Sequence, residues 1–142
     1  DADFTLANFM RSHLYSAVAT LKIGMDILLK EEHVAVDSLM GHGGFFKTPV
    51  VGQRVMAAGM NAPITVMDTA SEGGAWGMAI LAAFMKEKET GETLSSYLND
   101  KIFAGQTGTI LQPEPEDVKG FEAFLEEYKK LLPAEKAAVA AK

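Results

Sequence analysis

Residues 33–58 read HVAVDSLMGHGGFFKTPVVGQRVMAA, and the order of residue types in this stretch decides the fold. His33 to Met40 is a short β-branched and apolar run closed by glycine, which predicts a buried strand. Gly41-His42-Gly43-Gly44-Phe45-Phe46-Lys47 follows and predicts a tight loop. Thr48-Pro49 predicts a helix start, with Thr48 as N-cap and Pro49 at the first helical position. That helix runs from Val50 to Ala58, and Gly59 stops it. Strand, glycine turn and helix in this order are the unit of an α/β fold with parallel strands.

The same alternation continues on both sides. Upstream, Leu6, Phe9, Met10, Leu14, Ala17, Leu21, Met25 and Leu28 recur at spacings of three and four, which predicts one apolar face of a helix over 5–30. Asp3 or Thr5 is its cap. Downstream, Ala62 to Met67 predicts a second strand, with Pro63 at its edge. Thr69 and Glu72 have capping-box spacing, with Ser71 nearby, and a helix over 72–86 follows. Leu94 to Phe103 reads as a short helix, and 104–112 as a loop or short strand. Pro115 opens a last helix with the apolar stripe Phe121, Phe124, Leu125, Tyr128 and Leu132. The tail over 133–142 is Ala/Lys-rich and is expected to fray.

Composition narrows the function classes. The chain has 142 residues, 48% of them hydrophobic, a formal net charge of -6 and no cysteine. A disulfide framework and a thiolate metal site are impossible, and the cysteine usage fits a reducing cytosol. The acidic balance argues against a nucleic-acid partner, which needs a basic face. No apolar run approaches the ~18 residues of a membrane span. The first residues, Asp-Ala-Asp-Phe-Thr, do not read as a signal peptide. They also lack an initiating Met. With two strands where a sheet is expected, the chain is expected to be part of a longer one.

Two stretches carry chemistry. After the first strand, Gly43 and Gly44 let backbone approach a ligand, and Lys47 and Thr48 add donors at a helix start. Taken alone, such a turn is more often only a turn, and its spacing is neither the P-loop nor the Rossmann pattern. The second stretch, Ser71 to Gly77, is a helix start that faces a ligand or packs against the sheet through its small residues. Glu72 reads as a cap rather than a catalytic acid. His13, His33 and His42 show no metal-ligand spacing; His42, beside the glycines, is the one to test. The methionines read as core filler.

Gly43-Gly44-Phe45-Phe46-Lys47-Thr48-Pro49 through Gln53, then Ala62 to Val66, then Glu72-Gly73-Gly74-Ala75-Trp76-Gly77-Met78-Ala79 resemble the C-terminal domain of the FGGY carbohydrate kinases, such as xylulokinase, ribulokinase and glycerol kinase. The resemblance covers about residues 5–132. It implies an incomplete ribonuclease-H-like (actin-like ATPase) domain with short parallel strands flanked by helices, residues 1–142 being the C-terminal part of a nucleotide-binding domain. Gly43, Gly44, Phe45, Lys47 and Thr48 become the nucleotide-binding residues. Thr48 stands where the family has Asn or Ser, and Gly77 matches a small residue of the later helix. Phe45, Phe46, Trp76 and Ala57 depart from the family's usual residues.

The resemblance further implies ATP, with Mg²⁺ in the intact enzyme, and a sugar substrate, a pentulose such as xylulose or ribulose. No catalytic or metal-ligating residue falls in this segment, because the family's base and sugar pocket lie in the N-terminal domain. The isolated chain is therefore expected to be inactive, and its partner to be the N-terminal part of its own chain. Two other readings stand beside this one. The chain is a non-catalytic α/β association module that pairs with a second copy through a strand edge, or an actin-like ATPase without a sugar substrate.

Overall fold

The computed structural model describes residues 3–36, 38–106 and 108–141, and for Ser71 only the backbone. Asp37, within the first expected strand, and the side chain of Ser71, near the expected capping box, lie outside the described residues, as do residues 1, 2, 107 and 142.

Helix α1 spans Leu6–Asp26 and continues as one π-helical turn, Ile27–Glu31. Thr5 caps it, its hydroxyl accepting from the Asn8 N–H at 3.2 Å. Strand β1 is Leu39–Gly41, α2 is Val51–Met60, β2 is Ile64–Val66, and α3 is Gly73–Glu87. The short α4, Leu94–Tyr97, is closed by a reciprocal box between Thr93 and Ser96 and runs into a π-helical turn over Leu98–Ile102. Strand β3 is Thr109–Leu111 and α5 is Pro115–Ala140.

The three strands pair in the order β1-β2-β3. β1 and β2 are parallel, whereas β3 runs antiparallel to β2. The α/β class holds, and the expectation of parallel strands alone is corrected: the sheet is mixed. The first strand is also shorter than the 33–40 expectation. Residues 33–36 are exposed and outside any strand, and His33 has a φ of 51°. The last helix passes through Pro133 and reaches Ala140, where the sequence suggested a frayed tail.

The core centres on α2. Ala57, Ala58 and Met60 pack with Tyr15, Val18 and Ala19 of α1, Ile64 of β2, and Phe121 and Leu125 of α5. Small residues let these helices come close. A Cβ placed on Gly59 would lie 2.6 Å from a Val18 methyl. Gly59 is therefore a contact glycine and not a helix stop; the helix ends at Asn61, whose φ of 50° supplies the left-handed cap. Most of the stripe expected to bury α1 instead faces outward, although Met25 packs against the core. Leu6, Phe9, Met10, Leu21 and Leu28 are exposed, and Tyr15, Val18 and Ala19 take their place inside. Four of the methionines, Met10, Met40, Met78 and Met85, are also exposed rather than core filler.

Candidate functional site

The site is built at the carboxyl ends of the two parallel strands, the usual place for ligands in an open α/β sheet. β1 leads into the turn His42 to Val50, and β2 leads into the turn Met67 to Glu72. Gly43 joins the two. Its φ of 101° and ψ of -178° suit glycine, and they aim its N–H at the Ala70 carbonyl, 2.6 Å away. A second link lies outside. The Lys47 ammonium meets the Glu72 carboxylate at 3.1 Å, both side chains being well exposed. Gly41 is crowded for a different reason: a Cβ there would overlap the Phe46 ring, which would have to shift.

From Gly44 to Phe46 the turn is a single 3-10 turn. Phe45 and Phe46 meet edge to face at 5.5 Å between ring centres and pack against the core. A Cβ on Gly52 would overlap the Phe45 carbonyl oxygen, so α2 presses directly on this turn. Gln53 fixes the other side. It is buried, and its side-chain amide donates to the carbonyls of Ile64 and Thr109, both at 2.7 Å. One amide nitrogen thus clamps α2 to β2 and β3.

Several clefts border the turn, and two of them bring in residues of the second turn or of α3. One, of ≈ 310 Å³, is lined by Lys47, Thr48, Gln53 and Asp68 together with Phe46 and Val50. The other, of ≈ 340 Å³, is apolar and lined by His42, Gly73, Trp76, Gly77 and Phe103. Trp76 stands edge-on to Phe103 at 5.7 Å, and a Cβ on Gly73 would touch His42 at 3.1 Å. Nothing would meet a Cβ on Gly44, Gly74 or Gly77 within 4 Å. These glycines border open space.

The expected site residues therefore divide. Lys47 and Thr48 share the polar cleft. Gly43 holds the two turns together, Gly44 is bare at the surface, and Phe45 faces the core. Thr48 does not cap α2, because the helix starts at Val51 and no side chain caps it. Thr69 and Glu72 form no capping box: Glu72 occupies the N-cap position of α3 without a side-chain cap bond, and the buried Thr69 hydroxyl has no partner among the described residues. Sequence reasoning missed Asp68 in the polar cleft and the clamp made by Gln53. An acidic residue two positions past a parallel strand was the available signal for the first. Among the described residues, no three His, Asp or Glu side chains group to hold a metal, and no helix is long and apolar enough to cross a membrane.

The sequence profile of the C-terminal domain of the FGGY family of carbohydrate kinases matches residues 1–85. The chain belongs to this family. The match takes in α1, β1, the Gly43–Thr48 turn, α2, β2 and most of α3. Comparison with curated proteins and with solved structures gives no match.

Proposed function

We propose that this chain is the nucleotide-side segment of an ATP-dependent sugar kinase and that ATP binds across the Gly43–Thr48 turn. The observation that carries this reading is the hydrogen bond from Gly43 to Ala70. In a member of a carbohydrate kinase family, it brings the turns after both parallel strands into one surface, with open backbone at Gly44 and a cleft on each side. Chemistry assigns the clefts. The flat apolar one offers Trp76, Phe103 and His42 to adenine. The other offers the Lys47 ammonium and the Thr48 hydroxyl to phosphate oxygens. To reach phosphate, Lys47 exchanges Glu72 for a more highly charged partner.

The resemblance to xylulokinase and ribulokinase supports a pentulose as the sugar, a ribonuclease-H-like parent domain, and a cytoplasmic setting. Asp68 lines the polar cleft and Glu72 is engaged by Lys47, and among the described residues no three His, Asp or Glu side chains group to hold a metal. Mg²⁺ is expected with the phosphates, on groups outside this segment. The chain's own part is to hold the nucleotide and orient its phosphates.

Trp76 is the one tryptophan of the chain, so its fluorescence reports the apolar cleft directly. Titration with ATP is expected to quench it saturably, while inorganic phosphate leaves it unchanged. Absence of any ATP effect on Trp76, together with unmoved amide resonances at Gly43, Gly44 and Thr48, overturns the reading.

A further inference from the structure

Val50 is a β-branched residue with φ 70° and ψ -40°, a backbone region such residues almost never occupy. It sits at the centre of a γ-turn. The Val51 N–H donates back to the Pro49 carbonyl at 2.9 Å, and this hand of γ-turn is the rare, strained one. The strain has no packing reward, since Val50 is 55% exposed. The sequence around it encodes something else. Thr48-Pro49 is a helix start, with an N-cap hydroxyl and a proline whose φ already suits the first turn. Rotating Val50 into the right-handed region would extend α2 backward to that start. Thr48 would become the cap, and two further bonds would form by the helical rule, Gly52 N–H to the Thr48 carbonyl and Gln53 N–H to the Pro49 carbonyl.

We propose that the start of α2 is a two-state element, strained and short as seen here, relaxed and long when nucleotide is bound. The coupling rests on the nucleotide reading above; the two states themselves do not. Thr48 and Val50 both line the polar cleft. The long form moves the Thr48 hydroxyl to the helix end and leaves the Val50 N–H and the positive end of a longer helix dipole beside the cleft that Val50 lines, so a phosphate there binds it better than the short form. A ligand shifts such an equilibrium only by that difference in affinity.

Three measurements on the 142-residue chain test this. Val50→Gly removes the penalty on positive φ and favours the short form. It is expected to raise Tm and, because the competent form is then rarer, to weaken MgATP binding about tenfold, read by Trp76 fluorescence. A glycine that merely loosened the helix would lower Tm, and that result overturns the proposal. Val51→Glu completes a capping box with Thr48 and favours the long form. Hydrogen-exchange protection at Gly52 and Gln53 is expected to rise several-fold in the ligand-free variant, and unchanged protection overturns the two states. In the unsubstituted chain, MgATP is expected to raise the same two protections. If MgATP perturbs Trp76 but not these amides, the coupling is wrong. If MgATP perturbs neither, the nucleotide reading fails and takes the coupling with it, while the Tm and exchange comparisons still decide the two-state start.

Discussion

Gly52 and Gly44 stand eight residues apart and answer to opposite constraints. A methyl group on Gly52 would run into the Phe45 carbonyl, which is backbone and cannot swing aside. Gly52→Ala is expected to cost about 2 kcal/mol or more in urea unfolding, the scale of overpacking against a fixed neighbour. Gly44 has a negative φ and empty space where its side chain would be. Gly44→Ala is expected to leave the urea midpoint unchanged and to weaken ATP binding, so the two glycines separate a folding role from a ligand role. Gln53 belongs with Gly52. Gln53→Leu removes the donor shared by the Ile64 and Thr109 carbonyls and is expected to cost about 1–3 kcal/mol, with hydrogen exchange quickening across β2 and β3. The turn at Gly43 and Gly44 was legible in the sequence as a tight glycine loop after a strand. The crowding at Gly41 and Gly52 was not, because it depends on where Phe45 and Phe46, both half-buried, come to rest.

At the scale of elements, the end of α1 shows how charge closes a helix that has no glycine stop. Asp26 receives Lys22 at 2.9 Å and Lys30 at 3.1 Å, one from each side along the helix. Burial pushes the Asp26 carboxyl up, but the hydrogen bonds and charges of the two lysines outweigh it and hold the group below its ordinary value. The sign follows. A carboxylate whose folded pKa is lowered stabilises the fold above its unfolded pKa and loses that contribution as pH falls through the folded one. Asp26→Asn is expected to cost about 1 kcal/mol at neutral pH, two pairs at roughly 0.5 kcal/mol each. In thermal unfolding followed against pH, the gap between the two proteins is expected to close below the ordinary carboxylate value of 3.8. A gap that persists in acid would mean Asp26 acts through packing. The order of α1, β1, α2, β2, α3 and α5 was readable from the residue pattern, and Thr5 and Pro115 mark their helix starts as read, whereas the caps expected at Thr48 and at Thr69 with Glu72 do not form. The face of α1 was not readable. Apolar residues occur nearly all round that helix, and only the arrival of Ala57, Ala58 and Phe121 decides that Tyr15, Val18 and Ala19 turn inward. β3 was ambiguous for a similar reason. Three residues are too few to show a period, and its pairing with β2 is a long-range event.

For the molecule as a whole, the reading proposed above makes the site one side of a reaction centre. Phosphoryl transfer needs the acceptor hydroxyl in line with the γ-phosphate and positive charge around the transferring group. The turn supplies Lys47 and Thr48 to a cleft that Asp68 and Thr109 line with them. The outward face of α1 is bare: Leu6, Met10, His13, Ala17, Leu21, Gly24 and Leu28 are all exposed, and none is charged. A surface of this kind associates as concentration rises. Light scattering is expected to show species above the 15.3 kDa monomer, and Leu21→Lys to reduce them. Binding and turnover should therefore come apart. With ATP, Mg²⁺ and xylulose or ribulose, the pure chain is expected to form ADP no faster than without sugar, while Trp76 still reports ATP. The comparison is informative because the two signals depend on different parts. On the reading proposed above, ATP binding draws on the Gly43–Thr48 turn and the Trp76 cleft, whereas transfer draws on a base and a sugar pocket that the turn does not contain. Sugar-dependent ADP formation by the chain alone would mean that these groups lie within its 142 residues after all.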